Sequence, residues 1–314
     1  MKRAALIVAV LTTASWAAAQ SATQNPPPSQ NPPSQGQPAQ GAQPAQGAQP
    51  GQAGPGAPGA PAAKRPPQAK TQQEFDAYKA AVANTDPAAM EKAADDFATK
   101  FPDSELRLLL YKGAMRAYQN TNNLDKTEAT GRKVLGLDPD DPEALVMVAE
   151  VIAEKTKDTD LDKDQRYDEA VKMAQKAAQT IDTDVSVPQG TPQEKIDAYK
   201  NLLRSNAYSI LGTIEFKKEN YPAAQADLQK SIDAYPSQPD PVVVLRLALS
   251  LDKQGKYPEA LKVANRAVDL TQQNPQVGPL ARRERDRLQQ LTGGSGTPNT
   301  TPSQTPPTSQ PPQN

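Results

Sequence analysis

The feature that most constrains this chain is a residue pattern that occurs twice, displaced by 36 positions. In the first copy Leu211 precedes Tyr221, and in the second Leu247 precedes Tyr257, with a small residue after each leucine. Repetition at a period of about 20–50 residues is typical of chains in which similar supersecondary units stack on one another. We therefore predict a stacked repeat, a fold in which no unit buries its apolar face alone.

The residues between 71 and 292 have the composition of helices. Ala, Lys, Glu, Gln and Leu dominate, and no stretch shows the apolar–polar alternation of a strand. Turn signals such as Asp86-Pro87 divide the region into segments of helical length. We predict an all-α fold whose helices cover residues 72–84, 87–101, 104–119, 123–137, 142–156, 166–181, 192–218, 221–234, 241–254, 258–271 and 278–291.

The phased helices resemble the tetratricopeptide repeat (TPR) family, whose unit of about 34 residues is a helix A, a tight turn and a helix B. The closest match is unit 241–274, which places Leu247 and Leu251 on helix A. Gly255 then lies in the turn, and Tyr257 begins helix B. The other units cover residues 71–104, 108–141, 142–183 with an insertion in its turn, and 205–238, and an arginine-rich helix at 278–291 is expected to cap the stack.

The resemblance implies an α-α superhelix, a TPR solenoid of antiparallel helix pairs, in which the A helices line a concave groove. It therefore implies a non-catalytic scaffold that binds a partner protein or peptide in that groove. The residues that map to the groove are Lys112, Arg116, Gln119, Met147, Glu150, Ser209, Thr213, Leu245, Arg246 and Leu249. The family's carboxylate clamp is not expected, because Arg116 and Met147 stand at its Asn positions. Leu245 and Leu249 have an alternative interpretation as packing residues beneath the capping helix.

Both ends of the chain are rich in proline and glycine, which number 32 and 17 in the whole sequence. Residues 1–19 have the basic start, apolar run and small terminal residues of a secretory signal peptide, with an uncleaved anchor as the alternative. Residues 20–70, a Pro/Gln/Gly/Ala-rich linker, and residues 293–314 are predicted to be disordered tails, because they cannot bury a core. We expect an exported protein, periplasmic or secreted, with no transmembrane span after signal cleavage.

Two biological roles remain open at this stage. One is a protein–protein interaction scaffold in a bacterial cell envelope, which binds its partner through the groove. The other is an envelope-assembly or cell-wall-associated factor, which its Pro-rich arm tethers near a target. The sequence does not name the partner and does not fix the oligomeric state.

Composition excludes several classes of function. The sequence contains no histidine and no cysteine, which excludes imidazole and thiolate metal sites and every mechanism that needs a histidine base. The 35 basic and 36 acidic residues give a formal charge of −1, so the chain has no basic field for nucleic acid. We expect no enzymatic activity, no cofactor and no nucleic-acid partner, although composition alone does not exclude carboxylate or lysine catalysis.

An acidic insertion lies in the turn of unit 142–183. Its carboxylates Asp158, Asp160, Asp162 and Glu169 stand at positions 1, 3, 5 and 12 of a calcium loop of the EF-hand type. Lys163, however, stands where such a loop needs glycine. Glu169 is also explained by the first turn of a helix, where a carboxylate favours the helix dipole. We therefore predict a solvated acidic loop and no metal site, with calcium binding as the alternative.

Overall fold

The computed structural model describes residues 64–187 and 190–293. The signal segment, the Pro-rich arm as far as residue 63 and the tail from residue 294 lie outside the described residues. Within the described residues there are eleven helices and no strand, which confirms the all-α class. The helices are α1 Gln72–Val82, α2 Pro87–Lys100, α3 Leu106–Asn120, α4 Leu124–Leu137, α5 Pro142–Lys155, α6 Lys163–Asp184, α7 Gln193–Lys217, α8 Tyr221–Ala234, α9 Pro241–Lys253, α10 Tyr257–Leu270 and α11 Gly278–Thr292.

Three helices begin at an Asp-Pro pair. Asp86, Asp141 and Asp240 are the N-caps of α2, α5 and α9, and a proline occupies the first turn of each. Each carboxylate accepts a hydrogen bond from a backbone N–H of that turn, at 2.9, 2.9 and 2.7 Å. Such a cap provides an acceptor for one of the N–H groups that have no carbonyl partner at the start of a helix. Proline is well tolerated in this turn because the N–H that it lacks would have no partner within the helix.

Consecutive helices pack as antiparallel pairs. The pairs are α1–α2, α3–α4, α5–α6, α7–α8 and α9–α10, and the second helix of each pair also packs against the first helix of the next. The final helix, α11, packs against α10 and contributes Ala281 and Leu288 to the last core cluster. The helix pairs therefore form the predicted solenoid, in which each unit completes the core of its neighbour.

Small residues set the close approach of paired helices. Ala224, Ala260 and Ala264 on the B helices are fully buried. On the A helix α7, a Cβ atom added to Gly212 would lie only 2.7 Å from Cγ of Leu228, so no larger residue fits between α7 and α8 without a shift. The small positions that carry the sequence repeat are thus the points at which A and B helices touch.

The A–B turns share one backbone feature. Asn122, Glu219 and Gly255 lie at the same point of three units and have φ values of 56°, 59° and 73°. This left-handed conformation ends helix A and redirects the chain into helix B, and glycine adopts it at the lowest cost. Only the last of the three turns uses glycine, so Glu219 holds a conformation that an L-residue disfavours.

Two elements differ from the sequence-based expectation. Helix α6 has 22 residues and extends beyond the predicted range 166–181 at both ends, whereas the long helix predicted over 192–218 is confirmed by the 25-residue α7. Both helices extend beyond the 14 residues of α4 and α8. Asp182 ties the two extensions together, because its carboxylate accepts bonds from Arg204 at 2.8 and 2.9 Å and its carbonyl accepts one from Lys200 at 2.9 Å. The second difference concerns residues 64–70, for which the composition predicts a disordered linker and which instead make defined contacts with the helices.

Candidate binding groove

The A helices of consecutive units are linked along one face of the solenoid. Arg246 on α9 donates from Nη1 to Oγ1 of Thr213 on α7 at 2.8 Å. Arg116 on α3 donates from Nη2 to Oε2 of Glu143 on α5 at 2.6 Å, with a second bond from Nε to Oε1. The structure therefore brings two predicted groove residues of neighbouring units, Thr213 and Arg246, side by side. It joins a third, Arg116, to Glu143, which the sequence did not assign to the groove. Each half of the face also contains predicted groove residues that are buried, and the cause of their burial differs between the two halves.

In the first half, the face is closed by a cluster of buried charges. Nζ of Lys112 lies 2.6 Å from Asp141 and 3.0 Å from Glu143, which also binds Arg116. The side chains of Lys112, Asp141 and Glu143 are 6%, 1% and 1% exposed. Two cations and two carboxylates balance, which is the condition under which charges are stably buried.

The cluster fixes the ionisation of its members. Burial alone raises the pKa of Glu143, but the charges of Arg116 and Lys112 and their hydrogen bonds outweigh it and hold that pKa well below its usual value. Burial alone lowers the pKa of Lys112, but Glu143 and Asp141 outweigh it and raise the net pKa. Both partners are therefore charged at neutral pH, and the cluster acts as a set of ion pairs.

Tyr199 covers this cluster from the extension of α7. Its side chain is 4% exposed, and burial together with the adjacent Glu143 carboxylate raises the pKa of its hydroxyl well above the ordinary value. The next turn of the extension buries Leu203. The extension thus occupies the space beside α3 and α5 that a regular repeat would leave open.

The prediction that Lys112 and Met147 offer a binding surface is corrected by this arrangement. The ammonium group of Lys112 is buried in ion pairs with α5 and is not available to a ligand. Met147 is 1% exposed and packs with Met115 in the core cluster of the first units. The family register assigns both residues to the groove, and it gives no neighbour to the first turns of the long helix predicted over 192–218. A signal was present in the apolar residues Tyr199 and Leu203 ahead of unit 205–238. Gln119 and Glu150, nearer the C-terminal ends of α3 and α5, are partly exposed.

The second half of the face presents more of its predicted residues. Ser209 and Thr213 on α7 and Arg246 and Leu249 on α9 are all partly exposed. Leu245 is not, because it belongs to the core cluster that α9 and α10 share with α11. The alternative interpretation of Leu245 as a packing residue is therefore correct, and Leu249 packs against the same cluster while keeping some surface.

Helix α11 extends this face beyond α9. Nη2 of Arg287 on α11 lies 2.5 Å from Oδ1 of Asp252 on α9 and donates a hydrogen bond to Oε1 of Glu284, one turn earlier on α11, at 3.0 Å. The ion pair with Asp252 joins the capping helix to the A helix of the last unit. The face from α7 to α11 consequently carries hydroxyl groups, the partly exposed guanidinium of Arg246 and an apolar side chain, a mixture that suits a peptide with acidic and apolar residues.

The acidic insertion does not gather its carboxylates. Glu169 accepts a bond from Nη1 of Arg132 on α4 at 2.8 Å, and Asp160 accepts one from the backbone N–H of Lys157 at 2.9 Å. Over the two described ranges, no group of three or more carboxylates is placed to hold a metal ion. The geometry therefore does not support the calcium alternative for Asp158, Asp160, Asp162 and Glu169.

Across residues 64–187 and 190–293, no helix is long and apolar enough to cross a membrane.

Comparison with known proteins gives structural likeness only. No family model and no curated protein matches the sequence. The chain is similar to the thermophilic TPR protein TTC0263 of Thermus thermophilus, at 14% identity over 67% of this chain and 98% of that one, with a TM-score of 0.40. It is similar to YrrB, a TPR protein with an unusual peptide-binding site, at 16% identity over 62% and 93% of the two chains, with a TM-score of 0.39.

The architecture is established by the chain's own helix pairs. Helices of 13–15 residues alternate in the regular units, B-helix alanines such as Ala224 and Ala260 are buried at the A–B contacts, and the turns at Glu219 and Gly255 share one conformation. Each pair completes its core with the next. The described part of this chain is therefore a solenoid of tetratricopeptide-type helix pairs.

Proposed function

We propose that this protein is a non-catalytic protein-interaction scaffold of the bacterial cell envelope, which binds a partner protein or peptide on the face of α7, α9 and α11. The observation that carries the proposal is the unequal exposure of the A helices. Thr213, Arg246 and Leu249 keep surface on this face, whereas the equivalent face of α3 and α5 is filled by the Lys112–Glu143 cluster and Tyr199.

The chemistry of this face sets the kind of ligand. A guanidinium group binds a carboxylate with directed, charge-assisted bonds, and an apolar side chain beside it adds burial of an apolar residue. Arg246 and Leu249 stand three positions apart on α9, so they lie on the same side of the helix. We therefore propose a ligand segment that carries an acidic residue close to an apolar one.

The envelope location rests on the sequence. A basic start, an apolar run and small residues over 1–19 are typical of a secretory signal, and the absence of cysteine and histidine leaves little chemistry for an enzyme. The second role, an assembly or cell-wall factor tethered by the arm, is favoured by one structural observation. Lys64 and Arg65, where the arm reaches the described residues, are bonded to the solenoid.

Capture from envelope extract with the full chain tests the scaffold. The test variant carries Arg246→Glu with Leu249→Glu on α9, and the matched control carries Arg266→Glu with Leu270→Glu, which are both exposed on α10. Far-ultraviolet circular dichroism establishes that both variants fold. We expect the control to retain the partner and the test variant to lose it, whereas equal retention by both would place the binding surface elsewhere.

Fractionation tests the location and separates the two roles. Mass spectrometry of the mature protein is expected to find an N-terminus near residue 20, and an intact residue 1 in the cytoplasmic fraction would contradict export. Deletion of residues 21–63 leaves the contacts of Lys64 in place. A scaffold is expected to keep its partner affinity and its location after this deletion, whereas a tethered factor loses its location.

A further inference from the structure

Three basic residues ahead of α1 are bonded to the solenoid at separate points. Nζ of Lys64 lies 2.5 Å from Asp138, and the guanidinium of Arg65 binds both carboxylate oxygens of Glu105 at 2.5 and 2.9 Å. Nζ of Lys70 donates to the carbonyl of Asp103 at 2.8 Å. The segment Lys64–Lys70 therefore lies on the solenoid as an extended strap, and not as a free linker.

The partners of the strap lie along one edge. Glu105 precedes α3, Asp138 lies between α4 and α5, and Asp184 ends α6, where its carboxylate stands 3.6 Å from Lys64. All three residues belong to the connections between successive units. These connections repeat on the same side of the solenoid, so the strap crosses three units while it touches few core residues.

The contacts recognise the backbone of the strap as well as its charges. The N–H of Lys64 donates to the carbonyl of Thr183 at 3.0 Å, and the N–H of Gln68 donates to Glu105 at 3.3 Å. Pro66 and Pro67 between them are partly buried, and proline holds such a segment extended at a low entropic cost. The strap borders a surface cleft of about 390 Å³ that also contains Leu137 and Leu108.

The charges of strap and edge are complementary. The strap carries Lys64, Arg65 and Lys70, and the edge presents the carboxylates of Glu105, Asp138 and Asp184. The hydrogen bond from Arg65 lowers the pKa of Glu105, so this carboxylate is ionised wherever the protein is near neutral pH. The side chains of Lys64 and Arg65 are 40% and 64% exposed. Dissociation of the strap from the edge therefore exposes little of the apolar core.

We propose that this acidic inter-unit edge is a specific docking site for the segment Lys64–Lys70, which closes on it as an intramolecular latch and is displaced by the same segment of a second copy of the chain. The latch would hold the α6 extension to the first units and keep the edge covered. Exchange between copies would join two solenoids through their arms. This site is distinct from the face of α7, α9 and α11 and does not depend on it.

A peptide competition experiment tests the docking site. The probe is a fluorescent peptide of residues 64–72, KRPPQAKTQ, and the proteins are the full wild-type chain and a full-length variant with Lys64→Glu and Arg65→Glu, whose edge is vacated. We expect fluorescence anisotropy to show at least tenfold tighter binding to the variant, because the wild-type site is already filled. Equal affinity for both proteins, or binding to neither, would overturn the proposal.

A charge reversal shows whether Glu105 recognises the segment. A full-length chain with Lys64→Ala, Arg65→Ala and Glu105→Arg is used for this test, because a glutamate at position 65 of the chain itself would pair with the new guanidinium and refill the site. The Glu105 side chain is 39% exposed, so the change is tolerated. The original peptide is expected to lose its affinity, and a peptide in which Glu replaces Arg65 is expected to regain it. Failure of this reversal with a folded protein would mean that the contact at Glu105 does not select the ligand, and would overturn the assignment.

Mixing two variants tests exchange between copies. The Lys64→Glu/Arg65→Glu chain offers an open edge, and a chain with Glu105→Arg alone offers a loosened segment. Analytical ultracentrifugation of each chain and of their mixture is expected to show additional 1:1 association only in the mixture, and the association is expected to weaken as salt screens the exposed pairs. A mixture that sediments as the sum of its components would overturn exchange.

Discussion

Arg116 on α3 and Glu143 on α5 form a two-bond ion pair across the boundary between two repeat units. One bond, from Nη2 to Oε2, measures 2.6 Å, and the Glu143 side chain is 1% exposed. Lys112 binds the same carboxylate, and Tyr199 covers it from α7. The pair therefore couples the units by charge, and at the same time removes that stretch of the A-helix face from the surface available for binding.

Removal of one charge from this cluster is expected to destabilise the fold strongly. Lys112→Met keeps the approximate length of the side chain but leaves one cation, Arg116, to balance the two carboxylates of Asp141 and Glu143. Breaking a buried pair in this way typically costs about 3–5 kcal/mol, because a buried charge loses its partner. Urea denaturation measures the free energy of unfolding.

The matched control for this change is Lys92→Met. Lys92 pairs with Asp96 within α2 at 2.6 Å, but its side chain is 76% exposed, and such pairs contribute at most about 1 kcal/mol. A loss of stability in Lys112→Met no larger than that of Lys92→Met would contradict the role given to the buried cluster.

Acid is expected to weaken the contact between the first two units through Glu91. Burial alone raises the pKa of Glu91, but hydrogen bonds from Lys126, Tyr118 and Lys133 lower it from 4.5 to about 2. A carboxyl whose pKa is lowered by folding contributes stability above its unfolded pKa and loses it as the pH falls through the folded value. The stability from Glu91 is therefore present above about pH 4.5 and is lost by about pH 2.

The variant Glu91→Gln isolates this contribution. Its unfolding free energy is expected to lie below that of the wild type at pH 7 and to vary less between pH 4.5 and 2, where the two curves approach each other. Denaturation at a series of pH values measures the difference. Parallel curves over this interval would show that folding does not lower the pKa of Glu91.

The left-handed conformation of Glu219 predicts a stabilising substitution. Its φ of 59° costs an L-residue about 1–2 kcal/mol, whereas glycine adopts it freely and loses somewhat more chain entropy on folding. Glu219→Gly is therefore expected to raise the melting temperature, with a net gain of about 0.5–1 kcal/mol. The reciprocal change, Gly255→Ala at a φ of 73°, is expected to lower it. The same sign for both changes would refute the explanation.

Overpacking tests the register of the repeat. Ala260 is fully buried where α10 meets α9, so Ala260→Trp is expected to cost at least about 1–3 kcal/mol. Lys262→Trp, at an exposed position two residues later on the same helix, serves as the control and is expected to have little effect. Calorimetry of both variants gives the comparison, and an unchanged melting temperature for Ala260→Trp would mean that the A–B contact is assigned to the wrong residues.

The helix pairs were predictable because they repeat. Three local signals recur from unit to unit: the period that relates Tyr221 to Tyr257, the small residues at fixed offsets and the Asp-Pro helix starts. Each signal predicts local helix geometry, and its recurrence in the next unit supports the assignment. Asp141 precedes Pro142 and so has the sequence of a helix start, and the structure gives it both a cap bond and a buried bond to Lys112. Burial of that kind depends on which elements meet, and a periodic pattern does not contain this information.

The contacts that close half of the groove, and those that hold the strap, were not predictable for the same reason. Tyr199 and Arg65 belong to segments outside the repeat, so the family register assigns them no neighbour. Their contacts with Glu143 and Glu105 are long-range, and composition alone made the segment 64–70 a linker. Non-repeating additions to a repeat fold thus decide which of its surfaces remain open.

Photo-crosslinking in cells tests the central claim most directly. The full chain carries a benzoylphenylalanine at position 249 on the face of α9, or at position 270 on α10 as the control, and irradiation precedes envelope isolation. We predict a discrete crosslinked partner from position 249 that disappears when Arg246→Glu is added, and none from position 270. The same product from both positions, or no product from position 249, would contradict a scaffold that binds its partner on the α7–α9–α11 face.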